Sequence, residues 1–116
     1  MCGILVYISV NQKQKISIFS EALKLQENRG PDDSGIYYLD NNKLVEAKKE
    51  KSSSLASSFI VGHNRLSIID PSNKSKQPVL EDRKILSYNG EFYNFKDHSI
   101  QKYKNSDTLT LFHNLK

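Results

Sequence analysis

Residues 1–8 read MCGILVYI, and no cysteine occurs after them. The run from residue 3 to residue 10, GILVYISV, is rich in β-branched and aromatic side chains and reads as a buried strand. The chain's one thiol therefore stands immediately before its first strand, at the penultimate position. A penultimate Cys is small enough for removal of the initiator Met to be expected. Removal would leave a free α-amine on the residue that carries the thiol.

Outward from that strand, ISIFSEALKLQEN (16–28) places Ile16, Phe19, Leu23 and then Ile18, Ala22, Leu25 at helical spacing, which predicts an amphipathic helix. RGPDDSG (29–35) stops it, since Gly30 and Pro31 cannot continue a helix. GIYYL (35–39) reads as a strand, Asp40-Asn41-Asn42 as a turn, and KLVEA (43–47) as the returning arm of a hairpin. KKEKSSSLASS (48–58) is charged and low in complexity, and is expected to be a mobile loop. FIVGHNRLSIID (59–70) contains a strand, DPSNKSKQP (70–78) is loop, and KILSYNGEFYNF (84–95) reads as a strand interrupted by a turn at Asn89-Gly90. SDTLTLFHNL (106–115) predicts a helix with Ser106 as N-cap and Asp107 in the first turn, where the helix dipole favours a negative charge. Strands with helices between them imply an α+β layered fold.

At 116 residues the chain makes one domain. No stretch approaches the ~20 apolar residues of a membrane span, and the opening run lacks the basic flank and cleavage site of a signal peptide. A cytoplasmic setting with no membrane partner is the expectation. The net charge of +4 comes from 14 Lys against 3 Arg, and the lysines are scattered without interleaved aromatics. That pattern suits a solvated surface rather than a nucleic-acid partner. A single Cys excludes an internal disulfide and leaves a buried filler, an exposed thiol or a nucleophile.

A thiol attacks as its thiolate, and a free thiol's pKa of about 8.5 leaves little of it at neutral pH. An α-amine, with a pKa near 8, is unprotonated often enough to act as a general base. On a processed N-terminal Cys2, nucleophile and base would belong to one residue.

MCGI at the start, RGPDDSG at 29–35, GHNRLSIID at 62–70, QP at 77–78, YNGEFYN at 88–94 and SDT at 106–108 occur in one order along nearly the whole chain. In that order and rough spacing the chain resembles the class II glutamine amidotransferase domain that opens the glutamine-hydrolysing asparagine synthetases, a branch of the N-terminal-nucleophile hydrolases. The resemblance implies an α-β-β-α sandwich, incomplete at its C-terminus because the family has more strands after the helix that begins near Asp107. It implies a catalytic Cys2 that hydrolyses the side-chain amide of L-glutamine to glutamate and ammonia. Asn89 and Gly90 match the family's oxyanion hole, which the tetrahedral intermediate requires; alone, they would read as a plain Asn-Gly turn. Arg65 matches the clamp on the substrate carboxylate, a task suited to a guanidinium fork, or else forms a surface salt bridge. Asp107 and Glu91 match acceptors for the ammonium, and the backbone of Leu66, Ser67, Ile68 and Ile69 is expected to line the pocket.

Arg29 and Asp32 could close a loop over Cys2 or simply cap the first helix. His63, His98 and His113 have no metal-ligand spacing, and no metal is expected. They read as surface or packing residues. Residues 41–58 exceed the short connector expected between the two blocks they join, and Leu109 stands where an acidic residue would close a capping box.

The resemblance also implies that residues 1–116 are the N-terminal part of an amidotransferase domain and that the synthetase domain is absent. No cofactor is expected in these residues; ATP and Mg would serve the missing domain, which is the expected partner, and a homodimer is possible. In the full enzyme the ammonia would go to an ATP-activated aspartate. The alternatives are a sugar or other carboxylate acceptor in polysaccharide or secondary metabolism, or a truncated, inactive remnant.

Overall fold

The computed structural model describes residues 1–48, 54–67 and 75–115. Its frame is a four-stranded antiparallel sheet in the order β1 (Gly3–Ile8), β6 (Phe59–Arg65), β3 (Asp33–Asp40), β4 (Lys43–Glu46). Two small antiparallel ladders accompany it: β2 (Gln14–Lys15) with β5 (Ala56–Ser57), and β7 (Val79–Glu81) with β8 (Lys84–Leu86). Three helices, α1 (Ile16–Lys24), α2 (Phe95–His98) and α3 (Asp107–Asn114), complete a mixed α and β fold with antiparallel sheets.

α1 lies on one face of the sheet, and the helical spacing explains how. Ile16, Phe19 and Leu23 are 1–3% exposed, and Ile16 and Phe19 join Tyr38 and Ile60 in a core bordered by Leu5, Tyr7, Ile36 and Val45. Each such side chain contributes roughly 1.5–3 kcal/mol on burial. The second apolar stripe does not bury: Ile18 is 49% and Leu25 86% exposed, because only one face of the helix meets the sheet. The helix ends at Lys24, short of the residue 28 expected, and a single 3-10 turn (Glu27–Arg29) follows. Gly62 permits the close approach. A Cβ there would sit 2.7 Å from Leu23 Cδ2 and 2.8 Å from Phe19 Cε1.

Strand alternation divides β6 between two faces. Ile60, Gly62 and Asn64 point to α1, and the Asn64 Nδ2 amide donates to the Leu23 carbonyl at 2.7 Å. Val61, His63 and Arg65 point the other way, toward the segment around Gln77 and Ser87. On that second face, at the β1 edge, Val6 is 48% and Ile8 71% exposed.

The hairpin at Asn41-Asn42 forms as expected, with both residues in the left-handed region (φ 46° and 64°) that a two-residue turn requires and Asn tolerates. The 84–95 region differs from expectation. Its strand covers only Lys84–Leu86 and pairs with Val79–Glu81 through a turn at Asp82-Arg83, whose φ values are 50° and 61°. Asn89-Gly90 joins no pair of strands, and Phe95 opens α2. A two-residue turn is set by backbone twist between paired strands, and Asp-Arg is a weak sequence signal for it.

The end of the expected 48–58 loop is ordered: Ala56–Ser57 pair with Gln14–Lys15, a contact too short to leave a periodic pattern. The remainder of that loop at 49–53, and Asp70 with the expected loop residues through 74, lie outside the described residues. α3 starts as predicted, with the Ser106 hydroxyl accepting from Leu109 N at 3.2 Å. Among the described residues no helix is long and apolar enough to cross a membrane.

Candidate active site

Cys2 sits just before β1, on the edge strand of the sheet. A cleft of about 210 Å³ opens there, lined by Met1, Cys2, Arg65, Leu66, Gln77, Tyr88, Asn89, Gly90, Glu91, Asp107 and Thr108. Of the site residues expected from the sequence, Cys2, Arg65, Leu66, Asn89, Gly90, Glu91 and Asp107 all border this one cleft. Ser67 does not line it, and Ile68 and Ile69 lie outside the described residues. A larger cavity, about 380 Å³, lies on the helix side of the sheet between Leu23, Lys24, Gly30 and Glu46 and holds none of these residues.

Three chain segments meet at Cys2. Its backbone N–H donates to Asn89 Oδ1 at 3.1 Å across 87 residues of sequence. Its Sγ, on a half-buried side chain, accepts from Leu66 N at 3.3 Å, just past the end of β6. Its carbonyl accepts from Arg29 Nε at 3.3 Å. The thiol in turn donates to the Leu66 carbonyl at 3.9 Å, so both backbone groups of Leu66 face the sulfur. Met1, 75% exposed, precedes Cys2 in the chain as encoded, so the nitrogen held by Asn89 is there a peptide N–H.

The opposite wall is α3. Asp107 is 7% exposed at the first turn of that helix, where its Oδ1 accepts from Thr108 N at 2.7 Å and its Oδ2 from Phe92 N at 3.4 Å. Burial of a carboxylate requires such donors. Ser106, the cap that starts the helix one residue earlier, accepts a hydrogen bond at 2.8 Å from the buried Ser75 hydroxyl. Arg65, also 7% exposed, ends β6 opposite Asp33 of β3. The Tyr88 phenol, beside Gly90, is raised above its ordinary pKa by burial and then by the charges of Asp107 and Glu91. It is a neutral hydroxyl near two carboxylates.

Asp32 closes over the exit of β6: its N–H donates to the Arg65 carbonyl at 3.1 Å and its Oδ2 accepts from Ser67 N at 2.7 Å. The RGPDD segment thus braces the strand end that carries Arg65 and Leu66, and Arg29 reaches Cys2. Sequence reasoning left open whether these two residues were structural or closed over Cys2. The geometry places both against the same corner of the cleft.

Two contacts were missed at the sequence level. Leu66 N on the sulfur is a backbone donor and leaves no residue-type signal. Gln77, 6% exposed, accepts from Tyr88 N at 2.7 Å through its Oε1, and the QP pair was its one sequence clue. His98 stacks on Phe92 and His113 tilts against Tyr103, both surface packing roles. His63 is fully buried, with Nδ1 2.8 Å from Ser87 Oγ. Among the described residues no group of three His, Cys, Asp or Glu could hold a metal ion.

Residues 1–113 match the model of a family described as the glutamine amidotransferase domain. Among curated proteins, the chain is 29% identical over 107 residues to a putative asparagine synthetase (glutamine-hydrolyzing) of Mycobacterium bovis, covering 82% of this chain and 15% of that protein. It is 38% identical over 76 residues to asparagine synthetase B (glutamine-hydrolyzing) of Escherichia coli, covering 64% and 10%. With the glutamine-fructose-6-phosphate aminotransferase (isomerizing) of Methanocaldococcus jannaschii it shares 29% identity over 126 residues, covering 97% and 11%. The chain therefore spans 10–15% of the length of these relatives. No solved structure matches it.

Proposed function

The chain belongs to the glutamine amidotransferase domain family, and from that premise we propose that it hydrolyses the side-chain amide of glutamine with Cys2 as nucleophile. The observation that carries this reading is the 3.1 Å bond from Cys2 N to Asn89 Oδ1 inside a cleft that also holds Arg65, Gly90, Glu91 and Asp107. With Oδ1 committed to Cys2, the Asn89 amide keeps its Nδ2 as the donor for the oxyanion.

With Met1 removed, the nitrogen beside Asn89 is an amine, and it takes the proton from the thiol as sulfur bonds to the amide carbon. The carbonyl oxygen becomes an oxyanion, to which Asn89 Nδ2 and the Gly90 N–H donate. The amine returns its proton to the departing nitrogen, which leaves as ammonia from a glutamyl thioester. Water then attacks the thioester, yields its proton to the amine, and releases glutamate and the free thiol. Arg65 holds the substrate α-carboxylate; Asp107 and Glu91 accept from its α-ammonium.

The fold is read as one half of the α-β-β-α sandwich of the N-terminal-nucleophile hydrolases, with α1 and the four-stranded sheet as its first two layers. Exposed Val6 and Ile8 on the second face support that reading. Residues 1–116 would then be the amidotransferase part of a longer enzyme, with an ATP- and magnesium-using synthetase domain that transfers the ammonia to activated aspartate. The asparagine synthetases among the relatives favour aspartate as acceptor. The sugar-phosphate aminotransferase, matching over 97% of the chain, favours a second reading in which the acceptor is a sugar.

The test is Cys2→Ala in the full-length protein. Glutamine hydrolysis is expected to vanish while ammonia-driven transfer persists, and an intact mass lacking Met1 is expected for the active form. Glutaminase activity surviving in Cys2→Ala would sink the proposal. Supplying aspartate or a sugar phosphate as the only acceptor separates the two readings.

A further inference from the structure

Residues 87–90, which carry Asn89 and Gly90, belong to no helix or strand. They leave β8 at Leu86 and cross to Cys2 without a ladder to hold them. An oxyanion donor must nonetheless sit within a few tenths of an ångström of its working place. Two buried polar side chains from elsewhere reach this segment: Gln77 Oε1 accepts from Tyr88 N at 2.7 Å, and His63 Nδ1 meets Ser87 Oγ at 2.8 Å.

We propose that His63 is a positioning residue, which acts through Ser87 to lock the Asn89-Gly90 segment against the strand that carries Arg65. The inference rests on the reading of Asn89 and Gly90 as oxyanion donors.

The geometry supports it from both ends of the bond. His63 lies two residues before Arg65 on β6 and shares its face of the sheet, while Ser87 lies two residues before Asn89. The bond therefore joins the two walls of the cleft behind the residues that would touch substrate. His63 is 0% exposed, and its Nε2 has no hydrogen-bond partner among the described residues. Burying an unpaired ring nitrogen is unfavourable, and an apolar side chain of similar size would pack the same space without that penalty. The hydrogen bond that the ring does make is the one to Ser87. The ring makes it as a neutral group. Burial, and then the charge of Arg65, lower its pKa to about 4, against the opposing charge of Asp33. Gln77, held with its carbonyl against Gly35 of β3, fixes the next residue of the segment and leaves Ser87 as the side-chain link.

The experiment uses the full-length protein with glutaminase kcat and KM measured beside thermal melting. His63→Leu and Ser87→Ala are each expected to lower kcat roughly ten- to a hundredfold while KM for glutamine stays within about threefold. The double variant falls no further than the worse single, since both remove one bond. His63→Asn, which keeps a polar atom near the Nδ1 position, restores most of kcat. A folded Ser87→Ala or His63→Leu with kcat within about twofold of the parent overturns the proposal, as does His63→Asn no better than His63→Leu. If His63→Leu does not fold, Ser87→Ala makes the same test at a half-buried site with little packing change. Asn89→Ala separates this inference from the reading beneath it: retained kcat there defeats both, whereas its loss beside an unaffected Ser87→Ala defeats the latch alone.

Discussion

Gly30→Ala tests whether the RGPDD segment braces the cleft. Gly30 is buried with φ −153° and ψ 78°, outside the left-handed region that favours glycine. The cost to an alanine is contact. A Cβ at this position would stand 2.2 Å from the Asn64 carbonyl oxygen, 2.4 Å from its carbon and 2.7 Å from Arg65 N. All three are backbone atoms of β6, so no rotamer relieves the clash, and the segment must retreat by about 1 Å to reach ordinary van der Waals separation.

That retreat stretches the Asp32 N to Arg65 carbonyl bond, now 3.1 Å, and the Ser67 N to Asp32 carboxylate bond, now 2.7 Å, beyond useful range. Overpacking of this kind costs about 1–3 kcal/mol and each of the two weakened bonds about 1 kcal/mol more, so a loss of about 3–5 kcal/mol is expected. In urea unfolding of the purified protein this lowers the midpoint by more than about 1 M. Gly62→Ala is the comparison, because its Cβ meets only the side-chain ends of Leu23 and Phe19, which can turn away at smaller cost. Glutamine hydrolysis in Gly30→Ala is expected to fall about a hundredfold, since Leu66 N and Arg65 shift relative to the sulfur. A Gly30→Ala midpoint no lower than that of Gly62→Ala, with hydrolysis intact, would refute the bracing argument.

The remaining predictions concern the cap and the buried ring. Ser106→Ala removes the acceptor for Leu109 N and the partner of the buried Ser75 hydroxyl, and is expected to cost about 1–2 kcal/mol in unfolding free energy; a change under ~0.5 kcal/mol contradicts it. His63 binds its proton less readily folded (about 4) than unfolded (6.5), with Arg65 and Asp33 the charged groups facing it. Its contribution is therefore intact above pH ~6.5 and is lost as pH falls toward ~4, by about 3 kcal/mol at ~1.4 kcal/mol per pH unit. Urea midpoints at pH ~7 and ~5 should converge in His63→Asn relative to the parent; parallel slopes would contradict the buried neutral imidazole.

Local patterns in the chain were enough for several elements. The spacing of Ile16, Phe19 and Leu23 marks the helix face that buries, because one turn of helix returns a side chain to the same side. Asn41-Asn42 marks its hairpin because Asn accepts left-handed backbone, and Ser106 marks the start of α3 because its hydroxyl can reach Leu109 N. The blocks around Cys2, Arg65, Asn89 and Asp107 name candidate residues one by one. Each of these signals is local, spanning fewer than about ten residues. The Asp82-Arg83 turn, the pairing of Ala56–Ser57 with Gln14–Lys15, and the fact that Asn89-Gly90 connects no strands depend on partners supplied by the rest of the fold.

The same division runs through the cleft. Sequence alone puts a thiol at the second position and an Asn-Gly pair at residues 89–90; their meeting at 3.1 Å across 87 residues is a product of packing. So are the Leu66 N–H at the sulfur, the Asp32 carboxylate on Ser67, and the imidazole of His63 behind Ser87. Residue type and spacing declare what a side chain can do chemically. Which groups it does it with is decided only when β6 brings Arg65, and Leu66 just past its end, beside the first strand and the segment after β8 folds back onto Cys2, since those distances exist only in the folded chain.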